Sequence, residues 1–330
     1  MSARTYAVLA LLLTSIIWGV AGPVIKLTLP FLPPFTFIFF RLIIASWIFL
    51  PLFLREHKKH PIDERDFPHL FLAGLFGITL NLGLLFLGLE KTSAIEGGLI
   101  GATTPILLLL AGWWFLKEKI NRKEKIGTIL ALLGTLFIVF EPVFRGELFD
   151  HTFSPDRTTG NLLVLLGNLA WVAYTILSKE ISKKYSALMI TFVSIIIGLI
   201  TFLPLSLMEV FVFHKIPVFN PTSVIGLLYM SILSLGVAYF LFEWGLRKLE
   251  ACETGVFAYL QPVFTFPAAY LILGELTPTL LWPGIIITAL GVIIATAGMY
   301  HRQGKKMASL PIHRPKIALR RRAHRKKALK

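Results

Sequence analysis

Three ionisable side chains fall inside long apolar stretches of this sequence and are the first candidates for chemistry: Arg41, Glu96 and Glu243. A charge surrounded by hydrocarbon is costly, so each of them needs a partner, water or a ligand. Arg41 could anchor a solute carboxylate or act as a coupling element, or it could form a structural ion pair with Glu96 or snorkel to a polar interface. Glu243 has a simpler explanation, because Arg247 follows four residues later and the two could pair along one helix.

Two prolines, Pro105 and Pro262, interrupt apolar stretches that are otherwise long enough to be single helices. Inside a helix each proline removes a backbone donor and frees the carbonyl four residues earlier, at Gly101 and Ala258. One hypothesis is that both kinks are hinges that face a central cavity. The alternative is an ordinary packing kink.

Two glutamates, Glu118 and Glu275, close the fourth and ninth apolar stretches. The helix dipole disfavours an acid at a helix C-terminus by roughly 0.3–1 kcal/mol, so something must offset that cost at both places. The N-terminus of the next helix would do so and would make each glutamate a structural clamp. The other hypothesis is a contact within a gate.

Aromatic, amide and hydroxyl side chains inside the apolar stretches form a candidate solute-binding set. Solute cavities are mostly apolar with a few placed polar groups, which suits such a set. For any one of them, core packing or contact with lipid is an equal alternative. The candidates are Trp18, Asn81, Thr104, Trp171, Tyr174, Tyr239, Tyr259 and Gln261.

The elements that must position these groups are membrane helices. Hydrophobic residues make up 55% of the 330 and charged residues only 15%, against roughly 25% charged in a soluble domain. A membrane-spanning helix needs about 20 apolar residues. Ten stretches of this kind predict an all-α transmembrane protein: 6–27, 34–54, 68–88, 93–116, 124–141, 160–178, 187–208, 222–246, 253–273 and 280–300. The first stretch lacks a cleavage site and is not expected to be a signal peptide.

Basic residues predict the orientation of the chain. Cytoplasmic loops keep Lys and Arg during insertion, and 27 of the 33 Lys and Arg residues fall on one predicted side. We therefore expect both termini to be cytoplasmic. The basic tail, residues 301–330, carries twelve of these residues and no acid. It is expected to anchor the topology or to bind anionic lipid headgroups, and not to bind nucleic acid.

The sequence repeats itself. An offset of 157 aligns Gly88 with Gly245, Glu96 with Glu253, Pro105 with Pro262 and Glu118 with Glu275, and an offset of 153 aligns Trp18 with Trp171 and Lys26 with Lys179. Residues 1–144 and 160–300 are thus predicted to be two five-helix repeats, with 145–159 as an external linker. Because five is odd, the second repeat enters the membrane from the opposite side and the two would enclose a central cavity.

Small residues seven apart mark one face of the fifth and tenth stretches, at Gly127 and Gly134 and at Gly284 and Gly291. Such faces allow helix backbones to approach closely. They predict packing, either within one chain or at the seam of a homodimer, so a monomer and a homodimer both remain open.

The paired blocks from Gly98 to Gly134 and from Gly255 to Gly291 resemble the EamA-type repeats of the drug/metabolite transporter superfamily. The Trp18-Gly19 pair with Lys26, and the Phe40-Arg41 segment, are similar to that family as well. The resemblance implies a ten-helix exporter or facilitator of metabolites, often amino acids, in the cytoplasmic membrane. The alternating access expected of two inverted repeats follows from the same architecture.

Several other functions are disfavoured by what the sequence lacks. No Walker-type phosphate loop supports direct use of ATP, and no HExxH or GxSxG motif supports a hydrolase. Cys252 is the only cysteine, and no cofactor or metal site is expected. A membrane-embedded enzyme that acts on lipid or a lipid-linked substrate is the alternative, and it would need a cluster of catalytic acids or histidines at one interface.

Overall fold

The structure is a computed structural model that describes residues 3–92, 94–101, 103–144, 155–274 and 281–309. Within these ranges it leaves out the side chains of 94–96, 99, 135, 138–144, 155–157, 281 and 299–309. In chain order the α-helices are α1 Ala3–Thr28, α2 Pro34–His57, α3 Phe67–Gly74, α4 Asn81–Lys91, α5 Ala94–Gly101, α6 Thr104–Phe115, α7 Arg122–Phe144, α8 Pro155–Ile181, α9 Ala187–Phe211, α10 Pro221–Leu228, α11 Ala238–Lys248, α12 Ala251–Val256, α13 Gln261–Leu273 and α14 Leu281–Ser309.

The described residues form helices joined by turns and irregular loops, and many large apolar side chains are exposed on their surface. Seven helical stretches among them are long and apolar enough to cross a bilayer, and Thr104–Phe115 and Trp282–Gly298 are shorter apolar helices. The seven are Ala3–Thr28, Pro34–His57, Glu64–Lys91, Thr158–Ile181, Ala187–Phe211, Pro221–Lys248 and Ala251–Leu273. The all-α membrane class is therefore confirmed, whereas the count of ten inverted spans stays a prediction.

Local sequence fixes several of the helix starts. The Ser186 hydroxyl accepts a hydrogen bond from the Met189 amide at 3.2 Å and caps α9. Asn220 and Ser223 form a reciprocal capping box that begins α10, with Pro221 in the first turn. A proline there costs no hydrogen bond, because the first amides of a helix have no partner within it.

Two of the long stretches contain a wider π-helical turn that joins the α-helices on either side. Leu75–Leu80 joins α3 to α4, and Tyr229–Val237 joins α10 to α11. When the two halves of the sequence are aligned at the offset of 157, these two turns fall at overlapping positions. A π-turn leaves carbonyls without their usual partner, and such turns are frequent at functional sites.

Both prolines lie in the first turn of an α-helix, where α-helical geometry has just been interrupted, so the prediction that each lies within regular α-helix is wrong. Their role as hinges stays a prediction. Pro105 lies in the first turn of α6, after α5 has ended at Gly101, and Pro262 lies in the first turn of α13, after a 3₁₀ turn at Phe257–Leu260. A chain that ends one helix and begins the next with proline loses no backbone hydrogen bond. The Ala258 carbonyl accepts a hydrogen bond from the Gln261 amide.

The small-residue faces of α7 and α14 pack on each other within one chain. A Cβ built on Gly127 would lie 2.6 Å from the Gly291 carbonyl oxygen, and one built on Gly134 would lie 2.8 Å from that of Gly284. Because higher numbers on α7 meet lower numbers on α14, the two helices are antiparallel. Of the two alternatives for these faces, the structure shows packing within one chain. Whether the protein is a monomer or a homodimer stays a prediction.

Two loops meet at the end of the molecule where α3 and α9 begin. The Lys184 ammonium donates to both carboxylate oxygens of Asp66, at 2.8 and 3.0 Å, and the Tyr185 hydroxyl donates to the same carboxylate at 2.7 Å. The hydrogen bond to Asp66 raises the pKa of Lys184 above its ordinary value. These contacts link the loop before α3 to the loop before α9.

Candidate solute cavity

A cavity of about 200 Å³ lies between the helices. Its walls come from both halves of the sequence, with α1, α2, α4, α5 and α6 on one side and α8, α11, α13 and the second π-turn on the other. Six of the eight residues proposed from sequence for solute binding line it: Trp18, Asn81, Thr104, Trp171, Tyr239 and Gln261.

Two tryptophans from repeat-equivalent positions meet beside this cavity. The rings of Trp18 and Trp171 lie 5.1 Å apart, edge to face, an arrangement that aromatic pairs favour. Trp18 donates its indole N–H to the Ser234 carbonyl at 3.0 Å. The offset of 157 aligns Ser234 with Gly77, whose carbonyl accepts the Tyr239 hydroxyl at 3.1 Å. Main-chain carbonyls of the two π-turns thus accept both hydrogen bonds. Side-chain types in the sequence could not have indicated these acceptors, because every residue carries a carbonyl.

The tryptophans belong to a larger aromatic cluster. Tyr174 packs 5.0 Å from the Trp171 ring and Phe242 packs 4.8 Å from it. Tyr174 and Phe242 are buried behind the cavity wall and do not line the cavity. Sequence reasoning placed Tyr174 in the solute-binding set and passed over Phe242. The sequence indicates Phe242 only through its position about one helical turn after Tyr239, a residue that was itself a candidate.

Tyr259 also lies away from the cavity, although its neighbours line it. Its side chain is 0% exposed and its hydroxyl has no hydrogen-bond partner among the described residues. Ala258 and Gln261, on either side of it, line the cavity. The 3₁₀ turn Phe257–Leu260 rotates Tyr259 away from the face that these two residues share.

The broken helices are held by amide and hydroxyl groups of the opposite half. Asn168 donates through Nδ2 to the Ile100 carbonyl at 3.0 Å, just before the end of α5. The Ser15 hydroxyl donates to the Phe257 carbonyl at 2.7 Å, at the break before α13. Carbonyls near both breaks therefore have partners, as a low-dielectric interior requires.

Arg41 lines the cavity and is 1% exposed. Its Nη2 donates to the Ser234 hydroxyl at 3.5 Å, the long limit for such a bond, and its Cζ lies 5.7 Å from the centre of the Phe86 ring. Its Nε and Nη1 have no acceptor among the described residues. The alternative of a snorkelling side chain is wrong, because helices enclose the guanidinium. The Glu96 side chain lies outside the described residues, which give Arg41 no carboxylate partner.

Glu243 is 0% exposed and lies outside the cavity lining. The predicted pair with Arg247 is wrong, since neither carboxylate oxygen has a partner that meets hydrogen-bond geometry among the described residues and Arg247 is exposed. The carboxylate points into the bundle while the longer arginine extends to the surface. The hydroxyls of Tyr174 and Ser178 approach it, and both are also without a partner that meets hydrogen-bond geometry.

Glu118 joins the two halves of the chain. Its Oε1 accepts the Ala251 amide at 2.7 Å and its Oε2 accepts the Cys252 amide at 2.8 Å, at the start of α12. A carboxylate at a helix N-terminus is stabilised by the free amides and the dipole. The prediction that the next helix in sequence supplies these donors is wrong, because they come from a helix more than 130 residues away. Glu275 lies outside the described residues.

An ion pair that sequence reasoning missed closes the same end of the molecule. Arg4 Nη2 lies 2.6 Å from Glu253 Oε1, and the two side chains are 7% and 2% exposed. It links the start of α1 to the start of α12. The residues of α1 that line the cavity, from Trp18 to Ile25, lie in its C-terminal half instead. The cavity is therefore displaced from the end that Arg4, Glu253 and Glu118 hold together.

Comparison with known proteins is consistent across sequence and structure. The sequence model of the EamA-like transporter family matches this chain twice, over residues 5–140 and 158–297. An uncharacterized transporter of Archaeoglobus fulgidus is 30% identical over 90% of this chain and 99% of its own length. The uncharacterized transporter YetK of Bacillus subtilis is 30% identical over 76% of this chain and 74% of its own length. A crystal structure that is 18% identical superposes with a TM-score of 0.72 over 90% of this chain and 99% of that one, which shows a shared fold.

Proposed function

Because this chain belongs to the EamA-like transporter family, we propose that it is a secondary transporter or facilitator that moves a small metabolite, such as an amino acid, across the cytoplasmic membrane. It is a multi-pass membrane protein, and its family is the one that its sequence repeats predicted. We further propose that it works by alternating access and that its direction is export. No observation on the described residues favours the alternative of a membrane-embedded enzyme.

The cavity is the observation that carries this proposal. It is lined by helices of both halves and has a volume of about 200 Å³. Clefts for drug-sized ligands occupy about 300–1,000 Å³, so this one suits a smaller solute. Its polar groups sit among aromatic and glycine surfaces, which is the composition expected of a binding site for a small polar molecule.

Hydrogen bonds at repeat-equivalent positions support two related halves. Lys26 donates to the Thr92 carbonyl at 2.6 Å, just past the end of α4, and Lys179 donates to the Leu246 carbonyl at 2.6 Å and to that of Leu249, at the end of α11. Each lysine thereby neutralises a helix C-terminus. If similar contacts hold two oppositely inserted halves, an exchange of their conformations would move the cavity from one face to the other.

The asymmetry of the cavity supports a single access state. The end where α1 begins is held by the Arg4–Glu253 ion pair and by Glu118, while the cavity lies toward the other end. With both termini in the cytoplasm, as the basic loops predict, this arrangement would be outward-facing. The inward-facing state would then require the Arg4–Glu253 pair and the Glu118 contacts to separate.

Transport in proteoliposomes tests the proposal. The purified full-length chain is reconstituted, and efflux of a panel of amino acids, organic acids, amines and neutral metabolites is measured with and without an imposed pH gradient. We expect saturable movement of at least one panel member, absent from protein-free vesicles. Vesicles no more permeable than protein-free ones to every member would refute the function.

A further inference from the structure

The cavity contains a buried cation for which the described residues provide no counter-ion. Arg41 is 1% exposed, its Nε and Nη1 have no acceptor, and its Nη2 has only the Ser234 hydroxyl at 3.5 Å. The Phe86 ring face, 5.7 Å from Cζ, offers a cation–π contact but no charge. A buried charge without a partner is unfavourable and calls for an anion nearby.

The space for that anion is the cavity itself. Among the described residues that line it, Arg41 is the only charged one. The amides of Asn81 and Asn168 donate through Nδ2 to main-chain carbonyls, at 2.9 and 3.0 Å. Those two donors are committed to the protein, whereas the guanidinium retains most of its five N–H groups for a ligand.

Glycines keep the cavity open. A Cβ built on Gly22, Gly98 or Gly101 would meet nothing within 4 Å. All three glycines line the same cavity as Arg41. Arg41 thus lies beside an open space lined by glycine and aromatic surfaces, and its Nε and Nη1 are covered in this conformation.

The arginine is also confined to one half of the sequence. The offset of 153 that aligns Trp18 with Trp171 and Lys26 with Lys179 aligns Arg41 with Ser194, which is buried and uncharged. The fold of the second half therefore does not need a cation at this position. A charge that only one half carries is better explained by a ligand than by the packing of the repeat.

We propose that the solute carries a carboxylate, that Arg41 binds this group, and that the apolar remainder of the solute packs against Trp18 and Trp171. This inference rests on the proposed transport function and names the substrate class of the same cavity. A planar guanidinium matches a carboxylate with paired hydrogen bonds, which a lysine ammonium cannot reproduce. The volume of about 200 Å³ suits a small acid or amino acid.

Acids paired with their own amides test this substrate class. The full-length chain is titrated in detergent with propionate and propionamide, lactate and lactamide, and leucine and leucinamide, with chloride as an inorganic anion. Binding is followed by the thermal unfolding midpoint, and transport by efflux from proteoliposomes. We expect at least one acid to raise the midpoint and to be transported, while its amide does neither.

Variants of two arginines on α2 locate the interaction. Arg41→Gln is expected to weaken binding of the acid about 30-fold or more, the change that corresponds to losing one partner of a buried charge pair. Arg41→Lys should fall between this variant and the unmodified chain. Arg55→Gln is the matched control, because Arg55 is exposed on the same helix, and it should bind as the unmodified chain does.

The outcomes separate this inference from the proposed function. If amines or neutral metabolites are transported and no acid is bound, the carboxylate class is overturned while transport stands. The inference is equally overturned if acid and amide bind alike, if chloride alone gives the effect, or if Arg41→Gln binds the acid normally. Should Arg41→Gln fail to fold, the acid–amide comparison in the unmodified chain still decides. If nothing in the panel moves, both proposals fail together.

Discussion

Gly22 offers the sharpest test of whether solute passes through the cavity. It lies on α1 and lines the cavity, and a Cβ added there would meet nothing within 4 Å. A side chain at this position should therefore enter the open space without displacing a neighbour. The series Gly22→Ala, Gly22→Val and Gly22→Leu fills that space by one, three and four carbon atoms.

In this series transport should fall while stability is maintained or slightly raised. Alanine in a helix is more favourable than glycine by about 0.5–1 kcal/mol, so Gly22→Ala should unfold at a slightly higher temperature. If each carbon occupies roughly the 30 Å³ share of a water molecule, the leucine would fill about 120 Å³. That is more than half of the cavity of about 200 Å³.

The assay combines thermal unfolding in detergent with efflux from proteoliposomes. We expect transport to fall stepwise from alanine to leucine and to be abolished in Gly22→Leu, while the unfolding temperature is maintained. Gly83→Ala is the control, because it adds the same methyl outside the cavity, 3.4 Å from the Phe202 ring. A folded Gly22→Leu chain that transports at the unmodified rate would show that the cavity is not the solute path.

Three further substitutions test how the halves are held together. Glu118→Gln leaves one of two amides without its charged acceptor and should lower the free energy of unfolding by about 1.5–3 kcal/mol, measured by denaturant titration in micelles, whereas a loss below 0.5 kcal/mol would refute the capping role. Gly127→Val forces side-chain atoms into the antiparallel seam and should cost about 1–3 kcal/mol or more, and an unchanged unfolding temperature would contradict that packing. Arg4→Gln should separate the ends that the ion pair with Glu253 joins, so the buried thiol of Cys252 should react faster with maleimide, and an unchanged labelling rate would show that the pair is no latch.

The sequence was sufficient to predict the membrane class, the family and several residues of the cavity wall. Composition and apolar length determine the class, because lipid permits few alternatives to apolar helices. Trp18 and Trp171 stood out because the repeat places them equivalently, and the structure brings their rings to 5.1 Å. The two tryptophans occupy equivalent positions in the two repeats, and this equivalence can be found by aligning the sequence with itself.

Interactions between helices distant in sequence were not predictable in the same way. The partner of Glu118 begins α12 in the other half of the chain, and the partner of Arg4 is Glu253. Their spacing of four residues on one helix predicted an ion pair between Glu243 and Arg247. In the structure Glu243 is buried and Arg247 is exposed, so the two side chains do not pair. Only the packing of α11 against its neighbours determines which of them lies inside.

The backbone irregularities were located by the sequence but not identified. Proline marked the right places on the fourth and ninth stretches, yet Pro105 and Pro262 each lie in the first turn of an α-helix instead of within regular α-helix. The π-turns at Leu75–Leu80 and Tyr229–Val237 gave no sequence signal at all. Their effect is to expose main-chain carbonyls to Tyr239 and Trp18, and every residue type carries a carbonyl.

Cysteine accessibility from each side of sealed proteoliposomes measures alternating access most directly. A single cysteine is placed at Gly98, which lines the cavity with open space around it, in a chain that carries Cys252→Ser. Membrane-impermeant maleimide should label it from the external side alone in the resting protein, and from the cytoplasmic side when Arg4→Gln opens the opposite end. Labelling from both sides at once, or from neither side in any condition, would contradict two halves that alternate around a shared cavity.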